Sequence, residues 1–386
     1  MTYPFEAFDE IRPYHNDEIC GALDELECDA AFRDSMERTF ESIPFEMLIA
    51  KARQCRTLLD IQKTFVYPFL KQVLAEHADG LTSSMNNLDK SKNYTFISNH
   101  RDIVLDSAFL CVSLIDNNFS TTVEMATGDN LLTVPWIKKL VRLNKGLIVK
   151  RALGLREQLL SSDILSQYIH YAVNEKKENV WIAQRQGRAK DSNDFTQKSL
   201  LKMLCMGNNS ELRQSLKGIH VVPLTISYEY DPCDYLKAKE FQQKRDNPDF
   251  KKTRDEDVNS METGIFGYKG QIHYQTAACL DEWIETLPEN ICKNDFFNEV
   301  AAYMDHCIHS NYRMYPNNYI AADFLEKGTR FASKYTEEQK AKFQKYLQGQ
   351  LAKIDLEQPD LPFLTEKILS MYANPLYNHL AAIQSK

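Results

Sequence analysis

No run of about 18 or more apolar residues occurs anywhere in these 386 residues, so nothing here is expected to span a bilayer, and any membrane contact should be peripheral. An excess of positive charge is also missing. The net charge is −8, which argues against nucleic acid as a partner, because phosphate binding normally leaves a basic face. The nine cysteines include no Cys-x-x-Cys pair, which suits a reducing cytoplasm and gives no metal framework. Residues Met1 to Glu10 are acidic and mixed, without the basic-then-apolar layout of a signal segment. Neither an internal repeat nor a low-complexity segment is visible.

What is present is a globular composition, 43% hydrophobic and 26% charged, long enough for a substantial core. Apolar residues at three- and four-residue steps make residues 1 to about 75 helical, most clearly Ser42 to Ala50 and Cys55 to Tyr67. From about 90 to 280, β-like runs alternate with helical stretches, which signals an α/β core. The expected strands are Tyr94–Ile97, Thr121–Met125, Gly146–Val149, Asn179–Ile182, His220–Ser227 and Gln271–Gln275, with helices over 103–114, 156–175 and 196–206. The charged stretch Gln242 to Asn259 reads as a solvated loop. Helices return after Asp281, over Phe296–Asn311, Pro316–Leu325 and Glu337–Lys353. The division is therefore a helical region over 1–75, an α/β core over 76–290 and a helical region over 291–386.

The most informative stretch runs from Phe96 to Asp106. A strand-like segment delivers Asn99-His100, and Asp102 and Asp106 follow. An imidazole of near-neutral pKa can take a proton from a hydroxyl when an acid fixes its tautomer. The plain alternative is a loop histidine in a turn rich in Asn and Asp. His-Arg-Asp also opens a protein-kinase catalytic loop, but the Asn that loop requires is Ser107 here, and no Gly-rich loop or Asp-Phe-Gly accompanies it. Further on, Lys145-Gly-Leu-Ile-Val-Lys-Arg151 is a strand ending in two cations, where ligands dock in α/β folds. Gln184-Arg-Gln-Gly-Arg188 is a cationic turn around a glycine that allows a sharp bend or a close approach. Thr196-Gln-Lys198 then enters a helix, and Val221-Val-Pro-Leu-Thr-Ile-Ser-Tyr228 is a buried strand with one proline.

In their order these blocks resemble the glycerolipid acyltransferase superfamily, over roughly residues 80 to 280. That family shares a His-x4-Asp motif, a Gly-containing strand ending in Arg, a Phe-Pro-Glu-Gly-Thr-Arg-like turn and a Val-Pro strand. His100 to Asp106, Lys145 to Arg151, Arg185 to Arg188 and Val222-Pro223 look like these four in turn. The resemblance implies a mixed sheet flanked by helices, between helical N- and C-terminal regions. It also implies an O-acyltransferase of phospholipid biosynthesis, in which His100 is the general base. Two departures stand out. The family's aspartate position is Leu105, with Asp106 one residue later, and Gln186 stands where the family has glutamate. Asp106 is favoured as the partner of His100, with Asp102 as a local cap or turn residue.

The same resemblance places Arg151 and Arg188 on the acceptor's phosphate or carboxylate, with Gln186, Gly187 and Lys198 completing the substrate-binding set. No metal and no cofactor is implied. Acyl-CoA or acyl carrier protein is the co-substrate, and a glycerolipid acceptor in the cytoplasmic membrane face is the other partner. Val134 to Lys145, which interleaves Trp136, Ile137 and Leu140 with Lys138, Lys139 and Arg142, is the candidate membrane-surface segment, or else an ordinary core helix with a basic outer face. Two alternatives differ in kind. The acceptor could be an amino-acid-containing lipid, or the chain could be a catalytically silent lipid-binding homologue, as the shifted aspartate and Gln186 allow.

Overall fold

The computed structural model describes residues 4–40, 43–151, 153–207 and 211–384; Ser42, where one expected helical stretch begins, lies outside them. Its centre is a seven-stranded mixed sheet. The strands are β1 Gly80–Ser84, β2 Thr95–Ser98, β3 Val123–Gly128, β4 Gly146–Val149, β5 Asn179–Ala183, β6 Val221–Tyr228 and β7 Gln271–Thr276, in the order β1-β7-β6-β2-β5-β3-β4. Strands β2 to β6 run parallel to one another. β7 is antiparallel to β6, and β1 pairs parallel with β7.

Both faces of this sheet are covered, which is why β2 and β6 are buried at every position and read as near-continuous apolar runs. Alternate side chains point to opposite faces. Ile97 and Ile182 pack on one side with Leu165 and Ile169 from the helix Leu155–Asn174 and Phe297 from the helix Lys293–Ser310. Phe96 and Trp181 pack on the other with Leu105 and Phe109 from the helix Leu105–Asp116, and Leu70 from the helix Tyr67–His77. The C-terminal helices Pro316–Glu326, Glu337–Ala352 and Leu361–Gln384 form a further cluster with Ala238 of the helix Asp234–Asp246. The last of these helices went unread from sequence.

Two expectations are corrected. β1 was missed because Gly80-Leu-Thr-Ser-Ser84 has a single apolar side chain and sits at the sheet edge. The stretch Gln242 to Asn259 is not a loop but parts of two helices, Asp234–Asp246 and Arg254–Phe266. These are held by caps and charge pairs rather than by an apolar stripe. Thr253 accepts the Glu256 N–H while Glu256 accepts that of Thr253, and Lys244 pairs with Glu240 one turn away.

The candidate membrane segment had two readings, and the structure bears on the choice. It forms the helix Pro135–Leu143, whose apolar face is partly covered by its neighbours. Trp136, Leu140 and Leu143 pack into the cluster of the N-terminal helices Ile19–Glu27, Ala30–Thr39 and Phe45–Ala52, while Ile137 and Val141 pack toward the sheet. Two of its cations are also engaged. Lys139 pairs with Glu25 at 2.6 Å, and Arg142 donates to the carbonyls of Arg12 and Asp9. Of the two readings, the contacts favour an amphipathic helix packed on its neighbours.

Candidate active site

His100 stands two residues past the end of β2, the middle strand of the sheet. The turn is pinned by Asn99, whose side-chain amide donates to the Ile226 carbonyl at 2.9 Å and accepts the Ile226 N–H at 2.8 Å. Burial of Asn99 with both amide atoms satisfied leaves the next residue little freedom. The ring Nδ1 of His100 lies 2.8 Å from Oδ2 of Asp106, a fully buried carboxylate in the first turn of the helix Leu105–Asp116. A carboxylate acceptor there fixes the proton on Nδ1 and leaves Nε2 with a free lone pair.

The same Asp106 oxygen accepts the backbone N–H groups of Arg101 at 2.6 Å and Asp102 at 3.0 Å. The chain therefore wraps around one carboxylate before the helix starts. This is how the extra residue between His100 and Asp106 is accommodated. Asp102 serves the helix instead. Its Oδ1 accepts the N–H groups of Val104 and Leu105, each at 2.8 Å, capping that helix. Burial raises the Asp102 carboxyl above the usual range, and the charge of Asp106 adds to the effect.

His100 lines a cleft of about 440 Å³ at the carboxyl edge of the sheet. Trp181 meets its ring edge to face at 5.7 Å between centroids and donates from Nε1 to Ser98 Oγ. Arg151, Arg185, Gln186 and Gly187 line the same cleft, and no Asp or Glu is among its described lining residues. Arg151 follows β4. Its backbone N–H donates to Asp129, and burial lowers the proton affinity of its guanidinium below the ordinary arginine value. Gly187 has φ of +72°, a left-handed conformation that favours glycine, and this turn carries the chain past the cleft.

Two of the expected binding residues lie elsewhere. Lys198 is exposed, and its ammonium donates to Asn298 Oδ1 at 2.8 Å, outside the cleft. Arg188 is not among the lining residues either. It lies close enough to the buried Asp102 and Asp231 to favour their charged forms. A turn with φ of +72° between them sends Arg185 and Arg188 to different surroundings, and spacing alone cannot tell which one meets the cleft.

Sequence reasoning also missed Asp194. Its Oδ2 accepts the His100 backbone N–H at 2.8 Å, and its Oδ1 is 3.9 Å from Arg185 Nε. Burial raises this carboxyl, an effect opposed by the His100 amide. His309 in turn donates from Nε2 to the Asp194 carbonyl at 2.8 Å. No local pattern marks Asp194, since it reaches His100 only through the fold.

The site thus gathers an acid-oriented imidazole, two guanidinium groups and a space for reactants, which is the equipment for proton removal from an anionic substrate's hydroxyl. Among known proteins, residues 82–227 match the model of the acyltransferase family. No curated protein matches the chain. A crystal structure of the 1-acyl-sn-glycerophosphate (LPA) acyltransferase PlsC from Thermotoga maritima is similar over 74% of this chain and 94% of that one. At 13% identity and a TM-score of 0.38, that likeness is too distant to bear on the chemistry. The matched segment is the one that carries His100, Asp106, Arg151 and the Gly187 turn.

Proposed function

We propose that the chain transfers a fatty acyl group from acyl-CoA or acyl carrier protein to the hydroxyl of a glycerol-3-phosphate or lysophospholipid-type acceptor, as a step of phospholipid biosynthesis. The observation that carries this is the His100–Asp106 pair opening onto a cleft shared with Arg151 and Arg185.

Nε2 of His100 takes the proton of the acceptor hydroxyl as its oxygen attacks the thioester carbonyl carbon. Asp106 holds the imidazole and stabilises the imidazolium that forms. A backbone N–H of the Gly187 turn stabilises the oxyanion of the tetrahedral adduct. The adduct collapses with cleavage of the C–S bond, and the imidazolium returns its proton to the departing thiolate. The donor is already activated, so no acyl-enzyme is required. Arg151 and Arg185 hold the acceptor's anionic group by charge-assisted hydrogen bonds, and they fix its hydroxyl near Nε2.

An acceptor of this kind resides in a bilayer. No helix among the described residues is long and apolar enough to cross one. Our reading is peripheral contact at the cytoplasmic face. The test is a product analysis. Acyl-CoA or acyl carrier protein thioester is supplied with glycerol 3-phosphate, lysophosphatidate or an N-acylated amino-acid lipid, and the esters are identified by mass spectrometry. Esterified glycerophosphate with equimolar thiol release is expected. Ester on the amino-acid lipid alone would reassign the acceptor, and no ester from any of them would point to a silent homologue.

A further inference from the structure

The helix Leu155–Asn174 changes character along its length. Its second half buries Leu165, Tyr168, Ile169 and Ala172 against the sheet, whereas its first turns project past the core. There Leu155 is 85% exposed, Leu159 63% and Leu160 49%. At about 100° per residue, Leu155, Gln158, Leu159 and Ser162 fall within one arc of the helix of about 100°. Gln158 and Ser162 line the cleft that holds His100, so the two leucines beside them stand at its mouth.

Water-exposed leucines at i and i+4 are costly unless something covers them. Charge indicates what does. Arg156 is exposed on the same turn, and Arg151 and Arg185 line a cleft with no acidic lining residue among those described, beside Lys150, which pairs with Glu10. The nearby Glu157 turns back to accept the Gly154 N–H. In a chain of net charge −8 this is a local concentration of positive charge. Apolar side chains ringed by cations suit an anionic lipid surface, where the leucines enter the acyl boundary and the cations meet headgroups.

We infer that Leu155 and Leu159 dock the mouth of the His100 cleft onto an anionic bilayer, so that an acceptor passes from lipid to Nε2 without crossing water. This rests on the proposed reaction for its purpose, but not for its test. The face is distinct from the helix Pro135–Leu143, which packs on the N-terminal helices.

The experiment is flotation of the full chain with phosphatidylcholine vesicles, with and without phosphatidylglycerol, for wild type, Leu155→Ser/Leu159→Ser, His100→Ala and Val258→Ser. Val258, 40% exposed on the helix Arg254–Phe266, is the control for loss of a surface apolar group elsewhere. Wild type, His100→Ala and Val258→Ser should float with the anionic vesicles. The double variant should partition roughly 100-fold less, about tenfold for each leucine. Its turnover on vesicle-embedded lysophosphatidate should fall in parallel, while turnover on water-soluble glycerol 3-phosphate stays unchanged. Flotation of the double variant at the wild-type level overturns the proposal. So does retained flotation with a loss confined to acyl carrier protein as donor, which would make the leucines a protein-docking face. Wild-type flotation without turnover on any acceptor leaves the docking face standing and removes the catalytic reading alone.

Discussion

The carboxylate of Asp194 accepts the backbone N–H of His100 at 2.8 Å, across 94 positions of sequence. Asp106 orients the ring, and Asp194 holds the backbone from which that ring hangs. Asp194 is itself held through its carbonyl by His309. The segment after β5 and the segment after β2 are therefore tied together where His100 and Arg185 line one cleft.

From this bond, Asp194→Ala should lower kcat roughly 10- to 100-fold with little change in KM, the scale of one hydrogen bond to a charged group. Asp194→Asn, which keeps an acceptor oxygen, should retain most of the activity. Steady-state kinetics of both variants check this; equal losses in the two would show that the charge, not the bond, matters.

The two arginines of the Gly187 turn should behave differently. Arg185→Ala should raise KM for an anionic acceptor about tenfold or more, since a charge-assisted contact is lost. Arg188→Ala should leave KM in place and lower stability by about 1 kcal/mol. Asp231 keeps its pairing with Lys237, so only part of its compensation goes. Acceptor-dependence curves and thermal melts of both variants separate the two roles.

Gly264 packs directly against the helix-capping carboxylate. A Cβ built there would stand 2.2 Å from Asp102 Oδ2, so Gly264→Ala is expected to displace the carboxylate whose Oδ1 caps the N–H groups of Val104 and Leu105. A loss of about 1–3 kcal/mol in stability is expected from the overpacking and the broken cap. Denaturant melts measure it, and an unchanged midpoint would mean that the helix Arg254–Phe266 yields instead.

How much of this was open to reading depends on whether a feature is local. β4 and β5 are short apolar runs, and β2 and β6 are buried throughout, so their places were visible. β1, with one leucine among small polar residues, was not. The amphipathic pattern of the helix Pro135–Leu143 was equally plain, but the pattern cannot say whether lipid or protein covers it; here Trp136 packs on Phe32. At the site, His100 and its two nearby acids were legible because they are close in sequence. Choosing between Arg185 and Arg188 required the backbone of the Gly187 turn. Asp194 required the whole sheet.

Burial also leaves a pH signature away from the base. Asp305 accepts both the N–H and the Oγ1–H of Thr196 through one oxygen, and burial raises its carboxyl from the ordinary 3.8 to about 6. A folded pKa above the unfolded one contributes stability that is fully present below about 4 and is lost as pH rises through about 6. Asp305→Asn keeps the acceptor and removes the charge. Its stability relative to wild type should therefore rise by on the order of 2 kcal/mol between about pH 4 and pH 7. Melting curves across that range provide the check, and parallel curves would place Asp305 in a more solvated setting.

The most direct measurement is acceptor-dependent thioester consumption by His100→Ala beside Asp106→Ala and Asp102→Ala, each first shown to be folded. If the imidazole oriented by Asp106 removes the acceptor's proton, His100→Ala should lose on the order of 10²–10⁴ in kcat. Asp106→Ala should approach that loss, and Asp102→Ala should act mainly on stability. Donor consumption by His100→Ala at the wild-type rate would contradict the assignment.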